Sequence, residues 1–373
     1  MKIVINTRLL RKNDMDGIGW FTYHTCKYLV QHNKDIEFHF LFDTKIDEEF
    51  LFGEHVIPHV LFPPAKHAFL NVAFFQYSVP KLLKHIQPDL FLSPDGNLAL
   101  NYSGKQYGII HDISFFHFPQ DLKKTNAWYY NRYFPQFAQL ATRLGTVSAY
   151  SKQDIATNFS IDPNKIDVLY CGINDTFYSQ DKDEAMLIRE QFASGKEYFL
   201  FVGTLHPRKN IVRLIQAFNQ FKKDTNLSHQ LVIVGKTIFG ADELKVAVAT
   251  SPYSHDIVFT GRQPDNIVSA LYAAALALVF VPHFEGFGIP ILEGMRSGIP
   301  VITSNTTSMP EIAGDAAIIV DPYKVNEIAH AMTAVANNDT LRESLIIKGK
   351  DRVNEFSWDR TSGLLWESIQ QII

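Results

Sequence analysis

The chain has 373 residues, of which 46% are apolar, 20% charged and 13% aromatic. That balance belongs to a globular protein of about two domains and excludes a disordered or fibrous chain. The formal net charge is -4, with 17 basic and 17 acidic residues before position 180 and 18 and 22 after it; neither half has the cationic surplus that nucleic acid demands.

In chain order, Lys2 to Asn6 reads as a first strand, its apolar stretch too short for a signal peptide. Trp20 to Gln31 has apolar residues at helical spacing and follows the turn Asp16-Gly17-Ile18-Gly19. Glu37 to Phe42, Asp89 to Ser93, Tyr107 to His111 and Leu144 to Ser148 read as further strands, the last followed by a helix opening with a capping box at Ser151 to Asp154. The pattern weakens between about Asn174 and Lys196, which reads as a linker. A second series follows: Tyr198 to Val202, Gln230 to Val234, Ile257 to Thr260, Leu276 to Val281, Pro300 to Thr303 and Ala317 to Val320. Strands alternating with helices predict two α/β domains in tandem, each a doubly wound, Rossmann-like parallel sheet. Ligands of such sheets bind beyond the carboxyl ends of the strands, so a cleft between two such domains is the expected site.

The longest apolar run, Ala270 to Val281, stops at Pro282 and falls short of the roughly 20 residues a spanning helix needs. Two cysteines, Cys26 and Cys171, cannot staple a chain of this length, which points to a reducing cytoplasm. Aromatics crowd the first half, 31 before residue 180 and 17 after. Most belong in the core; an exposed remainder would face a lipid or sugar acceptor, leaving room for peripheral contact at the inner face of the membrane.

Three motifs nearly match other chemistries. Gly235-Lys236-Thr237 resembles the end of a phosphate-binding loop, but Gln230 stands where the first glycine is required. Gly17-Ile18-Gly19 is half of a dinucleotide fingerprint with Thr22 at the third glycine position. Asp181-Lys182-Asp183 is an Asp-x-Asp within a charged linker. His111 and His117 lack partners at zinc spacing. Neither a metal nor a cofactor is expected.

The densest signal runs from Val281 to Met295. A strand ends, a glycine-rich turn follows, and Pro290 sits where a helix would begin. A helix N-terminus is an anion site, and Gly286 and Gly288 let a ligand approach the backbone. Glu285 and Glu293, with seven residues between them, suit the hydroxyls of a sugar or ribose better than the anion itself. Their alternative is a plain role as helix-terminus charges. Upstream, Arg208 and Lys209 follow the strand that opens the second domain, where paired cations can neutralise a diphosphate.

Taken together these residues resemble the family 4 glycosyltransferases, retaining enzymes of the GT-B fold, over nearly the whole chain. The family signature of two glutamates with Glu-Gly-Phe-Gly-x-Pro between them is matched by Glu285 to Glu293, and its diphosphate loop by Gly203 to Asn210. Ser304 to Glu311, Gly314 to Ala317, Tyr107 to Asp112, Thr146 to Ile155 and Asp16 to Gly19 resemble other blocks of the family. The resemblance implies that Arg208 and Lys209 hold the donor diphosphate, Glu293 accepts from the ribose and Glu285 from the transferred sugar. It places the N–H groups of Phe287 and Gly288 on sugar and phosphate, His111 across the cleft on the donor sugar, Gly17 and Gly19 near phosphates or acceptor, and Arg262 near the base. Domains are implied over 1–175, on the acceptor side, and 182–355, on the nucleotide-sugar side, with a C-terminal helix at about 358–373 packing back on the first. Two departures stand out: Thr204 replaces an arginine common after the glycine of the diphosphate loop, and His283 replaces a common serine.

The function implied is metal-independent hexosyl transfer, with mannose from GDP-mannose as first choice, to a glycan or lipid-linked acceptor in surface polysaccharide synthesis. The alternatives are a glycogen-synthase-type polymerase or nucleotide-sugar epimerase of the same fold, or a non-catalytic nucleotide-sugar-binding subunit.

Overall fold

Short apolar runs between amphipathic helices become the strands of two parallel sheets. The computed structural model of the protein describes residues 1–12, 15–174, 176–179, 182–236 and 241–373. The described chain divides into two compact units, Met1–Gly172 with Ser357–Ile373, and Ile173–Phe356.

The first unit contains β1 (Lys2–Asn6), β2 (Glu37–Phe42), β3 (Val56–Val60), β4 (Leu90–Ser93), β5 (Gln106–Ile109), β6 (Arg143–Thr146) and β7 (Ile166–Val168). They pair in parallel in the order β3-β2-β1-β4-β5-β6-β7. The central strands are buried on both faces, as parallel strands between helices must be: Ile3, Val4, Ile5, Leu90, Phe91 and Leu92 are wholly buried. The helix Gly17–His32 is capped by Asp16, whose carboxylate accepts from the Gly19 N–H at 2.9 Å. It buries Phe21, Cys26 and Leu29 along one stripe.

The same unit is closed by the helix Trp358–Gln370, capped by Ser357. The His24 ring stacks on Trp358 at 4.5 Å, and Leu365 and Ile369 are wholly buried. Ser368 donates to Asp167, which pairs with Arg143 at 2.6 Å. The last helix is thus fastened to the far strands of the sheet as well as to its first helix.

The second unit contains β8 (Tyr198–Val202), β9 (Gln230–Val234), β10 (Ile257–Gly261), β11 (Ala277–Phe280), β12 (Val301–Ser304) and β13 (Ile318–Val320), in the order β10-β9-β8-β11-β12-β13. The winding direction reverses between β8 and β11, as it does between β1 and β4 in the first sheet. Such reversals open a crevice at the carboxyl ends of the strands.

Three local expectations are corrected. The stretch read as linker contains the helix Lys182–Ala193; its charged residues cover a solvated face rather than mark irregular chain. The helix placed at Ser151 begins at Ala149, with Ser148 as its cap accepting from the Ser151 N–H at 3.0 Å. Strands β3 and β7 were not expected. Both are edge strands, β3 interrupted by Pro58 and β7 only three residues long. Asp181 and Thr237, from two of the near-miss motifs, lie outside the described residues.

Candidate active site

The crevice between β8 and β11 is built from the two segments singled out in the sequence. After β8 the chain turns through Gly203, at φ +150°, into the short 3-10 turn Pro207–Lys209. Asn210 follows in the left-handed region at φ +64°. Its side-chain amide donates to the carbonyls of Val281 at 3.0 Å and Pro322 at 2.7 Å. One asparagine therefore ties the cationic turn to the loops after β11 and β13.

After β11 the loop runs through Glu285 to Gly288, at φ +104°, which begins the helix Ile289–Arg296. Pro290 occupies the first turn, where its missing N–H costs no helical bond. Ser308 holds the loop by donating to the carbonyls of Glu285 and Phe287, each at 3.0 Å.

These loops bring Arg208, Lys209 and Glu285 together. Arg208 donates to the Phe284 carbonyl at 3.1 Å and to the Glu285 carboxylate. Lys209 Nζ lies 2.5 Å from Glu285 Oε1 and over the Phe280 ring at 4.9 Å. Lys209 is buried, and an unpartnered buried cation is costly. Glu285 thus pairs with both cations beside the helix N-terminus. The arrangement suits an anion of more than one charge, and such a ligand would compete with Glu285 for the same N–H groups.

Glu293 lies on the helix Ile289–Arg296 and accepts from the Tyr272 hydroxyl at 2.7 Å. Burial pushes its carboxyl up to about 7, against the pull of the Tyr272 hydrogen bond and the Lys209 charge. It is therefore poised between an acceptor and a donor near neutral pH. Tyr272 was not legible as part of this site; nothing in its run of alanines and leucines marks it.

His283, the residue found where serine was expected, has a structural partner on each side. Its backbone N–H donates to the Arg208 carbonyl at 2.8 Å, its ring stacks on Tyr323 at 4.6 Å, and Arg213 Nη1 lies 3.1 Å from Nε2. Burial, followed by the Arg213 charge, lowers its pKa to about 4, so the ring stays neutral at pH 7. It fastens the glutamate loop to the cationic turn.

The N-terminal candidates belong to the first unit. His111 follows β5; its Nε2 lies 2.8 Å from the Pro94 carbonyl, and its ring meets Phe21 edge-on at 5.0 Å. Burial lowers its pKa, opposed by the Pro94 hydrogen bond. The crevice between β1 and β4 holds a network the sequence did not disclose. Arg8 donates to Asp95 at 2.7 Å, Asn6 donates to Asp95 at 2.8 Å and to Ser93 at 3.0 Å, and Tyr129 donates to Asn97 at 2.8 Å. Burial alone would raise the Asp95 pKa, but Arg8 and the hydrogen bonds of Asn97 outweigh it and hold the carboxyl low. This network fixes the loop whose Pro94 carbonyl orients His111.

Gly17 is exposed at the helix start; Gly19 is buried, and a Cβ there would lie 3.2 Å from the Leu9 carbonyl. Phe287 is buried against Phe356 at 5.9 Å, and Gly288 leaves a Cβ only 2.6 Å from Met309. Arg262 is exposed after the edge strand β10, two strands from β8.

Residues 15–177 match the family model described as glycosyltransferase family 4, and residues 182–352 the model described as glycosyl transferases group 1. The chain is 31% identical over 250 residues to O-antigen chain mannosyltransferase B of Escherichia coli, covering 67% of this chain and 66% of that protein. The match therefore spans just under two thirds of that relative's length. Among solved structures, sucrose-phosphate synthase from Thermosynechococcus elongatus matches with a TM-score of 0.80 at 16% identity, over 100% of this chain and 98% of that one. Anabaena HepE in complex with UDP-glucose matches with a TM-score of 0.77 at 16% identity, over 100% of each chain. At those identities the likeness is one of fold. Sheet order, signature segment and family matches agree: the chain belongs to the family 4 glycosyltransferases of the GT-B fold, and is similar to bacterial mannosyltransferases of O-antigen synthesis.

Proposed function

We propose that this protein is a retaining hexosyltransferase that moves mannose from GDP-mannose to a glycan or lipid-linked acceptor in surface polysaccharide synthesis. The observation that carries the proposal is the convergence of Arg208 and Lys209 on Glu285 at the reversal point of the second sheet, beside a helix N-terminus. In this reading the donor diphosphate takes the two cations and the helix N-terminus, and Glu293 accepts from the ribose. Glu285, displaced from the cations, accepts from the sugar ring.

The chemistry follows from that placement. The bond between sugar C1 and diphosphate oxygen breaks through an oxocarbenium-like state, and the electron pair leaves with the diphosphate. The acceptor oxygen forms the new C1 bond on the same face and gives its proton to a phosphate oxygen. Arg208 and Lys209 stabilise the charge gathering on the leaving group, which is where fixed charge contributes most. A metal is not needed when two cations already face the diphosphate. Mannose rests on the similarity to O-antigen chain mannosyltransferase B; a UDP-hexose is the second reading, favoured by the UDP-glucose bound to the structural neighbour HepE.

The test is thermal unfolding with a panel of GDP- and UDP-sugars, followed by nucleoside diphosphate release in EDTA. GDP-mannose is expected to raise the midpoint most, since a ligand of the native state shifts it by mass action, and slow GDP release is expected without divalent metal. A panel that leaves the midpoint unmoved removes the donor site. Binding without any turnover favours the non-catalytic alternative, and turnover only with added metal removes the metal-free mechanism.

A further inference from the structure

Glu293 is not held by its own helix alone. Tyr272, on the helix Asp265–Ala274, is wholly buried and donates its hydroxyl to Glu293 Oε2 at 2.7 Å. The tyrosine is seated from several sides. Phe177 meets its ring edge-on at 5.5 Å. The backbone beside it is fastened as well: Tyr198 of β8 donates to the Leu271 carbonyl at 2.6 Å, and Ser269 donates to the Thr176 carbonyl at 2.6 Å. Glu293, in contrast, keeps part of its surface open. The tyrosine is thus the fixed, covered member of the pair, and the carboxylate is the member a ligand can reach.

The pair divides the work of the two carboxyl oxygens. A buried hydroxyl needs an acceptor, and Tyr272 finds it in Oε2. With a donor on Oε2, any proton on the carboxyl must sit on Oε1 or the tyrosine bond is lost. Oε1 is therefore the oxygen that either carries the proton or accepts from a ligand. Burial, the largest influence, and Asp265 favour the protonated form; Tyr272 and, after it, Lys209 favour the ionised one. Burial also raises the tyrosine's own pKa, followed by the Glu293 charge, so the hydroxyl stays a donor well above neutral pH. Removing that hydroxyl alone would change two things at Glu293: the orientation of the carboxylate and the pH at which it accepts.

We propose that Tyr272 is a positioning residue for the nucleotide ribose: it fixes the Glu293 carboxylate so that Oε1 accepts from the ribose hydroxyls. The inference rests on the reading of Glu293 as the ribose acceptor, and its test separates the two. Affinities of the full-length protein for GDP and UDP, and for the 2′,3′-dideoxy form of each, are measured by calorimetric titration from pH 5.5 to 9. The wild type is expected to bind the ribose form about tenfold or more tightly than the dideoxy form at pH 8. Tyr272→Phe is expected to reduce that preference to about threefold or less at pH 7 and to regain part of it by pH 9, the midpoint of the profile moving up by about one pH unit. In a Glu293→Gln background the same change is expected to alter the preference by less than about twofold. Tyr272→Met, which fills a similar space without the hydroxyl, carries the comparison if the phenylalanine variant fails to fold. No nucleotide binding, or equal wild-type affinity for ribose and dideoxy forms, removes the ribose reading and this proposal with it. A wild-type preference that folded Tyr272→Phe keeps, with the same midpoint, overturns this proposal alone. An equal loss of affinity for both forms at every pH also overturns it, because the tyrosine would then only support the fold.

Discussion

Glu285 has two tasks that conflict, and substitution should separate them. In the structure its carboxylate pairs with Arg208 and Lys209, so the proposed donor diphosphate would have to displace it. Glu285→Gln removes that competitor. GDP is expected to bind the variant more tightly, by about tenfold if one charge-assisted contact no longer opposes it. Turnover is expected to fall at the same time, because in the proposed mechanism the glutamine no longer places a negative charge beside the ring that becomes cationic. Calorimetric titration with GDP and steady-state kinetics read the two effects; weaker GDP binding in a folded variant would mean the pairing supports the site instead of occupying it. Lys209→Ala is expected to lower kcat with a loss of about 2–4 kcal/mol in transition-state stabilisation.

Glu293 differs in kind. Its pKa, raised from 4.5 to about 7, comes first from burial. A carboxyl whose folded-state pKa is raised contributes stability that is complete below about 4.5 and is lost as pH climbs through about 7. The proposed ribose contact asks for the ionised form, so nucleotide affinity should rise over the same interval in which stability falls. Glu293→Gln is expected to flatten both profiles and mainly to raise the donor KM, since a ribose contact changes little between ground and transition states. Melting midpoints and GDP affinity at pH 5.5 and 8, for both proteins, measure this; a pH-dependent affinity unchanged in the glutamine variant would assign the titration to another group.

At the scale of elements, the carboxyl edge of the second sheet depends on glycines in a row. Gly203 donates to the Val234 carbonyl at 3.0 Å and Gly235 donates to Gly261 at 3.0 Å. Gly235 has φ +147°, and a Cβ there would lie 1.9 Å from the Gly203 carbonyl oxygen. Gly235→Ala should therefore cost about 3 kcal/mol or more, from strain and overpacking together, read as a large drop in the denaturant midpoint. This is what the near-miss phosphate motif encodes: a backbone approach between β8 and β9 turns. The interior strands were legible because both faces are apolar. The edges β3 and β7 were not, since Pro58 and Asp167 break the apolar run and edge pairing tolerates both. The helix within the expected linker was hidden because its residues are mostly exposed. In the site, Arg208, Lys209, Glu285 and Glu293 could be read from two local segments. Tyr272, Tyr323 and the Arg8–Asp95 pair could not, because each reaches its place through strand order, across separations that no spacing rule spans.

At the scale of the molecule, the first unit is assembled from two separated pieces of chain. The helix Trp358–Gln370 buries Leu365 and Ile369 completely and Trp358 almost so. Burial of such side chains contributes roughly 1.5–3 kcal/mol each, and the Asp167 network adds polar contacts to them. A chain ending at Phe356 should therefore melt at least 10 °C lower in the transition that reports the first unit, or fail to accumulate as a soluble species. Differential scanning calorimetry of the two proteins reads this, with GDP added to mark the second unit. An unmoved first transition would show that the helix is an accessory to the fold.

That discontinuity also sets an order of events on the ribosome. The second unit is one uninterrupted stretch, Ile173–Phe356, and has all its parts as soon as Phe356 has left the exit tunnel. The first begins earlier yet waits longer: its sheet is synthesised first, and its closing helix last. For the whole of that interval Phe21 and His24 lack the tryptophan that covers them, and the nascent chain carries an uncovered aromatic strip while its later half is already able to fold. The part of the protein made first is thus the part finished last, and stalled or prematurely terminated synthesis leaves it, not the second unit, as the surface that chaperones must shield.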